Sequence, residues 1–188
     1  MANGMLVSSD NRFDLKYFEK HYSDGVCKRD RGVAVESMYE WDDYYEIQSI
    51  PKSDVEVCSQ KLFFSDTLRI MKEGCFLKHG GLKIGKWRSY DKAGKLVEET
   101  NEDEGWNITW KELEPKLLEM KIRPNTIMEI EREVLEEDIH IWRVSVFLSL
   151  SAFVVLTFSG ETGEFLFSEV EQLSFGSNVF EMEKMRKK

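Results

Sequence analysis

The chain has 188 residues, 41% hydrophobic and 12% aromatic, with 35 acidic against 26 basic side chains and a formal net charge of −9. That much apolar surface offsets the entropy of folding, which excludes a disordered chain, and the length suits one substantial core or two small units sharing an interface. The acid excess argues against nucleic-acid binding, which needs a basic surface to neutralise phosphates, and fits a basic protein partner better.

The opening ten residues are expected to be loose, and they show no basic start followed by an apolar run, so no secretory signal is visible. Cys27, Cys58 and Cys75 are odd in number, widely spaced and without a CxxC pair. They read as reduced thiols in a reducing compartment rather than a disulfide framework or zinc site, which implies a cytoplasmic location.

In NRFDLKYFEKHYSDG, Phe13, Tyr17 and Phe18 fall at helical spacing before Asp24-Gly25, so the stretch predicts a short helix closing in a turn, with a strand pair as the alternative. Residues 33 to 57 are rich in β-formers, VAVESMY and then YYEIQSI before Pro51, with Asp42 and Asp43 at the bend between them. The next stretch repeats itself. KLFFSD at 61 to 66 can be laid on KWRSYD at 86 to 91, and RIMKE at 69 to 73 on KLVEE at 95 to 99 after a one-residue slip. The implied unit is a hairpin that cannot bury its apolar face alone and stacks on its neighbour.

The loop NEDEGWN at 101 to 107 marks a boundary, and Thr109 with Glu112 has the spacing of a capping box. A helix is expected from about Trp110 to Lys121, with Trp110, Leu113, Leu117, Leu118 and Met120 facing inward; Pro115 implies a kink or a later start near Glu114. After Pro124, TIMEIEREV satisfies strand alternation and a helical stripe equally. The uncharged run at 144 to 160 falls short of the roughly 20 apolar residues of a spanning helix. Its β-branched content and SLSA break suit two buried strands. Gly160 to Gly163 reads as a turn before the strand FLFSEVEQL, and the charged tail EMEKMRKK is expected to fray.

His21, His79 and His140 lie in no recognisable nucleophile context, GETG is not a GxSxG elbow, and HExxH, HxH and Walker spacings are missing. The expectation is therefore a chain with no catalytic residue, no metal site and no cofactor, with His79 as a turn residue and His140 as a wall position in a sheet. The acids are the most conspicuous feature left. Trp41, Asp42, Asp43, Tyr45 and Glu46 form one acid and aromatic cluster, and Glu102, Asp103, Glu104 and Trp106 form another. Rings supply buried area and carboxylates supply steering, so both are candidate partner-binding sites; the alternative is a solvated rim with core aromatics behind it.

The run through Gly85-Lys86-Trp87, Tyr90-Asp91 and Gly94-Lys95-Leu96 to Glu98-Glu99 resembles the variant MORN repeats of bacterial toxin-antitoxin proteins. Phe63-Phe64 through Ile70 to Glu73-Gly74 resembles the preceding repeat, with Leu68 where a turn glycine is expected. Trp142-Arg143-Val144 together with Gly160 to Leu166 is similar to the strand-turn-strand end of PepSY-like domains.

The elements read along the chain, together with these resemblances, give an expected α+β fold: antiparallel hairpins in a meander over residues 1 to 105, with the repeats at about 60 to 100, and one helix packed on a small antiparallel sheet over 106 to 188. The resemblances imply a non-enzymatic binding role, that of an immunity protein covering the active site of a cognate toxin, for example one delivered by a type VI secretion system. An acidic surface suits a toxin whose active cleft is basic. A structural or surface-associated scaffold is the alternative; neither reading calls for nucleic acid or membrane as partner.

Overall fold

The computed structural model describes residues 11–53, 56–149 and 152–172; the first ten residues and the charged tail, for which looseness and fraying are expected, lie outside them. Seven strands run in chain order: β1 (Cys27–Asp30), β2 (Ala34–Glu40), β3 (Tyr44–Pro51), β4 (Val57–Phe64), β5 (Ile70–Leu77), β6 (Lys83–Tyr90) and β7 (Leu96–Asn101). Each pairs antiparallel with the next, so sheet order equals sequence order. Ahead of them, α1 (Leu15–His21) starts where the Asp14 carboxylate accepts from the Tyr17 N–H at 3.1 Å. Of the two sequence alternatives the helix is formed, and its closing turn places Asp24 and Gly25 at φ of 53° and 84°. Phe13 and Phe18 then join Cys27, Met38, Phe63 and Ile70 in one core cluster against the sheet.

The repeated hairpins are β4–β5 and β6–β7. They join edge to edge through the β5–β6 pairing instead of stacking face on face, because each hairpin leaves unpaired backbone groups at its edge that the next strand satisfies. Their tips are tied as well: Lys92 forms an ion pair with Asp66, and Arg69 donates to the carbonyl of Ala93. Leu68 has φ of 55° and Gly94 φ of 88°, so both hairpins use the left-handed region at the same turn position. For leucine that conformation costs about 1 to 2 kcal/mol, which the surrounding hairpin must offset. Trp87 packs its ring directly on Gly74, where a Cβ atom would collide with it.

The helix α2 (Trp110–Glu119) opens on a capping box in which the Thr109 N–H donates to Glu112 Oε2 at 3.0 Å. It starts at Trp110 and carries Pro115 inside it, so the later start is not adopted. Trp110, Leu113 and Leu117 are buried, but Leu118 and Met120 are exposed, against the sequence expectation. One residue turns a helix by about 100°, which carries Leu118 off the buried stripe.

A single 3₁₀ turn at Pro124–Thr126 leads into β8 (Ile127–Val134), followed by β9 (His140–Ser149), β10 (Ala152–Ser159) and β11 (Phe165–Gln172). They form a four-stranded antiparallel sheet in the order β11-β10-β9-β8. The ambiguous TIMEIEREV run is thus a strand. A register shift between Ile127 and Glu129 lets Ile127 and Ile130, three apart, both lie buried, and that bulge produced the helical spacing. The uncharged run supplies β9 and β10, whose connecting residues 150–151 lie outside the described ones. Among the described residues no helix is long and apolar enough to cross a membrane.

Leu77 and Ile84 of the first sheet share one apolar cluster with Trp110, Leu113 and Leu117 of α2 and with Ile130, Trp142, Val144 and Phe158 of the second sheet. This core spans the 105/106 boundary. The described residues are mostly antiparallel β in two sheets with two α-helices, an α+β architecture led by a meander.

Candidate partner-binding site

The β2–β3 connection is a tight bend in which the Trp41 N–H donates to the Tyr44 carbonyl at 2.9 Å, leaving Asp42 and Asp43 exposed at the tip. Strand alternation then sends Tyr44 and Glu46 to one face of the sheet and Tyr45 to the other. Tyr45 stacks on Phe13 with ring centroids 4.4 Å apart, and its hydroxyl donates to Glu40 at 3.2 Å. It therefore belongs to the α1 core and not to the exposed rim.

Glu46 is 5% exposed, so its carboxylate must be satisfied from within the protein. Its Oε2 accepts from Trp41 Nε1 at 2.9 Å, and its Oε1 accepts from the side-chain amides of Gln48 and Gln60 at 2.7 and 2.5 Å. Trp41 itself remains 50% exposed and stacks on Tyr44 with centroids 5.9 Å apart. Among the described residues no Lys, Arg or His forms an ion pair with Asp42, Asp43 or Glu46. None lies over the ring of Trp41 or Tyr44 either.

The second cluster is arranged differently. Asp103 forms an ion pair with Arg132 of β8 through Oδ1, and its Oδ2 accepts from the Gly85 N–H at 3.0 Å. The nearly buried Arg132 guanidinium also donates to the Glu102 carbonyl at 2.8 Å, and it lies 5.0 Å from the ring of Trp106 and 4.4 Å from that of Trp142. Asp103 and Trp106 thus rivet the β7–α2 loop to both sheets. Of the residues chosen there from the sequence, Glu102 and Glu104 alone keep exposed side chains. The nearby Glu99 is held below the usual carboxylate range by hydrogen bonds from Lys86 and Arg88. No hydrogen bond or ion pair joins the two clusters among the described residues.

Gln48, Gln60 and Arg132 were not singled out in the sequence. Period-two alternation in YYEIQ does place Gln48 beside Glu46, whereas Gln60 requires the β3–β4 register that sets Gln48 opposite it. A third polar group was also missed. Glu56 is 1% exposed, and Nε2 of His79 lies 3.5 Å from its Oε1, so His79 is more than a turn residue. Burial, with Lys78 adding to it, holds the His79 imidazole below its usual range, and burial pushes the Glu114 carboxyl up. His140 opens β9 against the ring of Trp106 at 4.8 Å, the wall position expected of it.

Among the described residues Cys27, Cys58 and Cys75 form no disulfide, and burial pushes the Cys58 and Cys75 thiols up to about 11, which keeps them protonated at neutral pH. No three His, Cys, Asp or Glu side chains are grouped to hold a metal ion among the described residues. A shallow groove of about 540 Å³ lies between α2 and the β10–β11 turn, lined in part by Lys116, Met120, Phe158 and Phe165.

No protein-family model matches the chain, and neither does any curated protein or solved structure.

Proposed function

We propose that this protein is a binding module, an immunity protein that neutralises a cognate bacterial toxin by occluding its active site. The observation that supports this reading is the half-exposed Trp41 at the tip of a rigid hairpin, beside the exposed Asp42 and Asp43 and above the buried carboxylate of Glu46. An aromatic anchor flanked by steering acids is what an interface hot spot requires. The toxin that fits such a rim presents a basic cleft, as a nuclease does, and acts in the cytoplasm where the immunity protein resides. The meander serves as the platform, in keeping with its likeness to variant MORN repeats. In the same reading the C-terminal part is PepSY-like, with α2 closing the four-stranded sheet, and the core cluster shared by the two supports it. Delivery of the toxin by a type VI or other polymorphic-toxin system belongs to this proposal.

The test is co-expression with the product of the adjacent gene. Co-purification of the two, and rescue of cells that produce that product, are the expected results. Absence of both removes the immunity reading and leaves the scaffold reading in its place.

A further inference from the structure

At two places among the described residues a guanidinium lies over an aromatic ring and pairs with a carboxylate. Arg29 lies 4.8 Å from the ring of Tyr17 and pairs with the buried Glu36 at 2.8 Å. Arg132 lies between Trp106 and Trp142 and pairs with Asp103. At Trp41, Tyr44 and Glu46 a carboxylate also meets an indole, but all three donors to it are neutral, and among the described residues no cation forms an ion pair with it or lies over either ring.

We infer that Trp41, Tyr44 and Glu46 form an acceptor for an arginine side chain supplied by a protein partner. The inference rests on the partner-binding reading given above and specifies what that partner must offer. An ionised carboxylate has about four lone-pair sites. Gln48 and Gln60 occupy Oε1, and Trp41 takes one site on Oε2, which leaves one free. One face of the Trp41 indole is turned to Tyr44, and the indole is half exposed. A planar guanidinium can lie on the outer indole face and donate edge-on to Oε2. An ammonium makes only a point contact there, which is why arginine and not lysine is the occupant. Charge complementarity selects it further, since Asp42 and Asp43 border the same bend without internal cations.

The probe is N-acetyl-L-arginine amide, titrated into the ¹⁵N-labelled full chain while the Trp41 indole N–H resonance is followed. N-acetyl-L-citrulline amide, which keeps the shape without the charge, is the control. A saturable shift with arginine, at least tenfold weaker with citrulline and weakened at least tenfold by Glu46→Gln, is the expected result. A flat titration overturns the inference, and so does an equal response in the Glu46→Gln chain, because stacking alone has no need of the carboxylate. If Glu46→Gln fails to fold, Trp41→Phe serves in its place, read on the Gln48 and Gln60 side-chain amides, and undiminished arginine binding there overturns the inference. Arginine capture without toxin rescue counts against the immunity reading alone; rescue without arginine capture counts against this acceptor alone.

Discussion

Around Asp103 the carboxylate meets an arginine held between two indoles, whereas around Glu46 the carboxylate meets three neutral donors and its neighbouring indole stays half exposed. The two regions draw on the same residue types and share an acidic, aromatic look in the sequence. Their difference comes from what the fold brings alongside. β8 delivers Arg132 to the first, and the β3–β4 pairing delivers only Gln60 to the second. A cluster closed by its own cation is an internal joint; one left open is available to something outside.

That contrast can be broken most forcefully at Arg132. Replacing it with alanine strands Asp103 and empties the space between Trp106 and Trp142, so urea unfolding should show a loss of about 3 to 5 kcal/mol, the usual cost of removing one partner of a buried pair. A loss no larger than that of an exposed arginine would show that the joint carries no stability. Next in size is Gly74→Ala, which drives a Cβ into the Trp87 ring beneath the platform and should cost about 1 to 3 kcal/mol by the same measurement.

At the open cluster the balance should reverse. Charge reversal of Asp42 and Asp43 to lysine should leave the unfolding midpoint unchanged, yet slow association with the partner in a salt-dependent way, as read by stopped flow. The same reversal at Glu102 and Glu104 should change association less, because Asp103 and Trp106 between them face inward. Equal effects at both sites would erase the distinction.

The smallest effect concerns the Glu56, His79 and Glu114 group. Burial raises Glu114, so the folded chain keeps a proton that the unfolded chain releases near pH 4.5; its contribution is complete below that pH and is lost as pH rises through the folded value. His79 is lowered, so its contribution is complete above pH 6.5 and is lost as pH falls through its folded value. Glu114→Gln should therefore flatten the decline of melting temperature above pH 4.5, and His79→Gln the decline below pH 6.5. Unaltered slopes in a pH series of thermal melts would remove this assignment.

Local chemistry was legible in the sequence. The capping box at Thr109 and Glu112, the helix at Phe18, the bend at Asp42 and Asp43, and the paired hairpins all follow from residues within a few positions of one another. What escaped depended on distant parts of the chain or on a break in period. The bulge at the start of β8 left strand and helix undecided in TIMEIEREV. The fate of Asp103 was set by an arginine 29 residues away, and the burial of Glu46 in part by a glutamine 14 residues on. Tyr45 and Glu46 are adjacent, and only the side on which α1 packs separates a core ring from a candidate contact.

The first sheet orders its strands as the chain does, from β1 to β7. Each strand has only to find the one made just before it, so loop-closure entropy stays small and the sheet can grow from either end like a zipper. Such a ladder has no crossing connection to re-route. A hairpin inserted between β3 and β4 would change the distance between the Trp41 tip and the shared core without rewriting any other pairing, which makes the reach of the molecule a quantity that can be altered in steps of two strands.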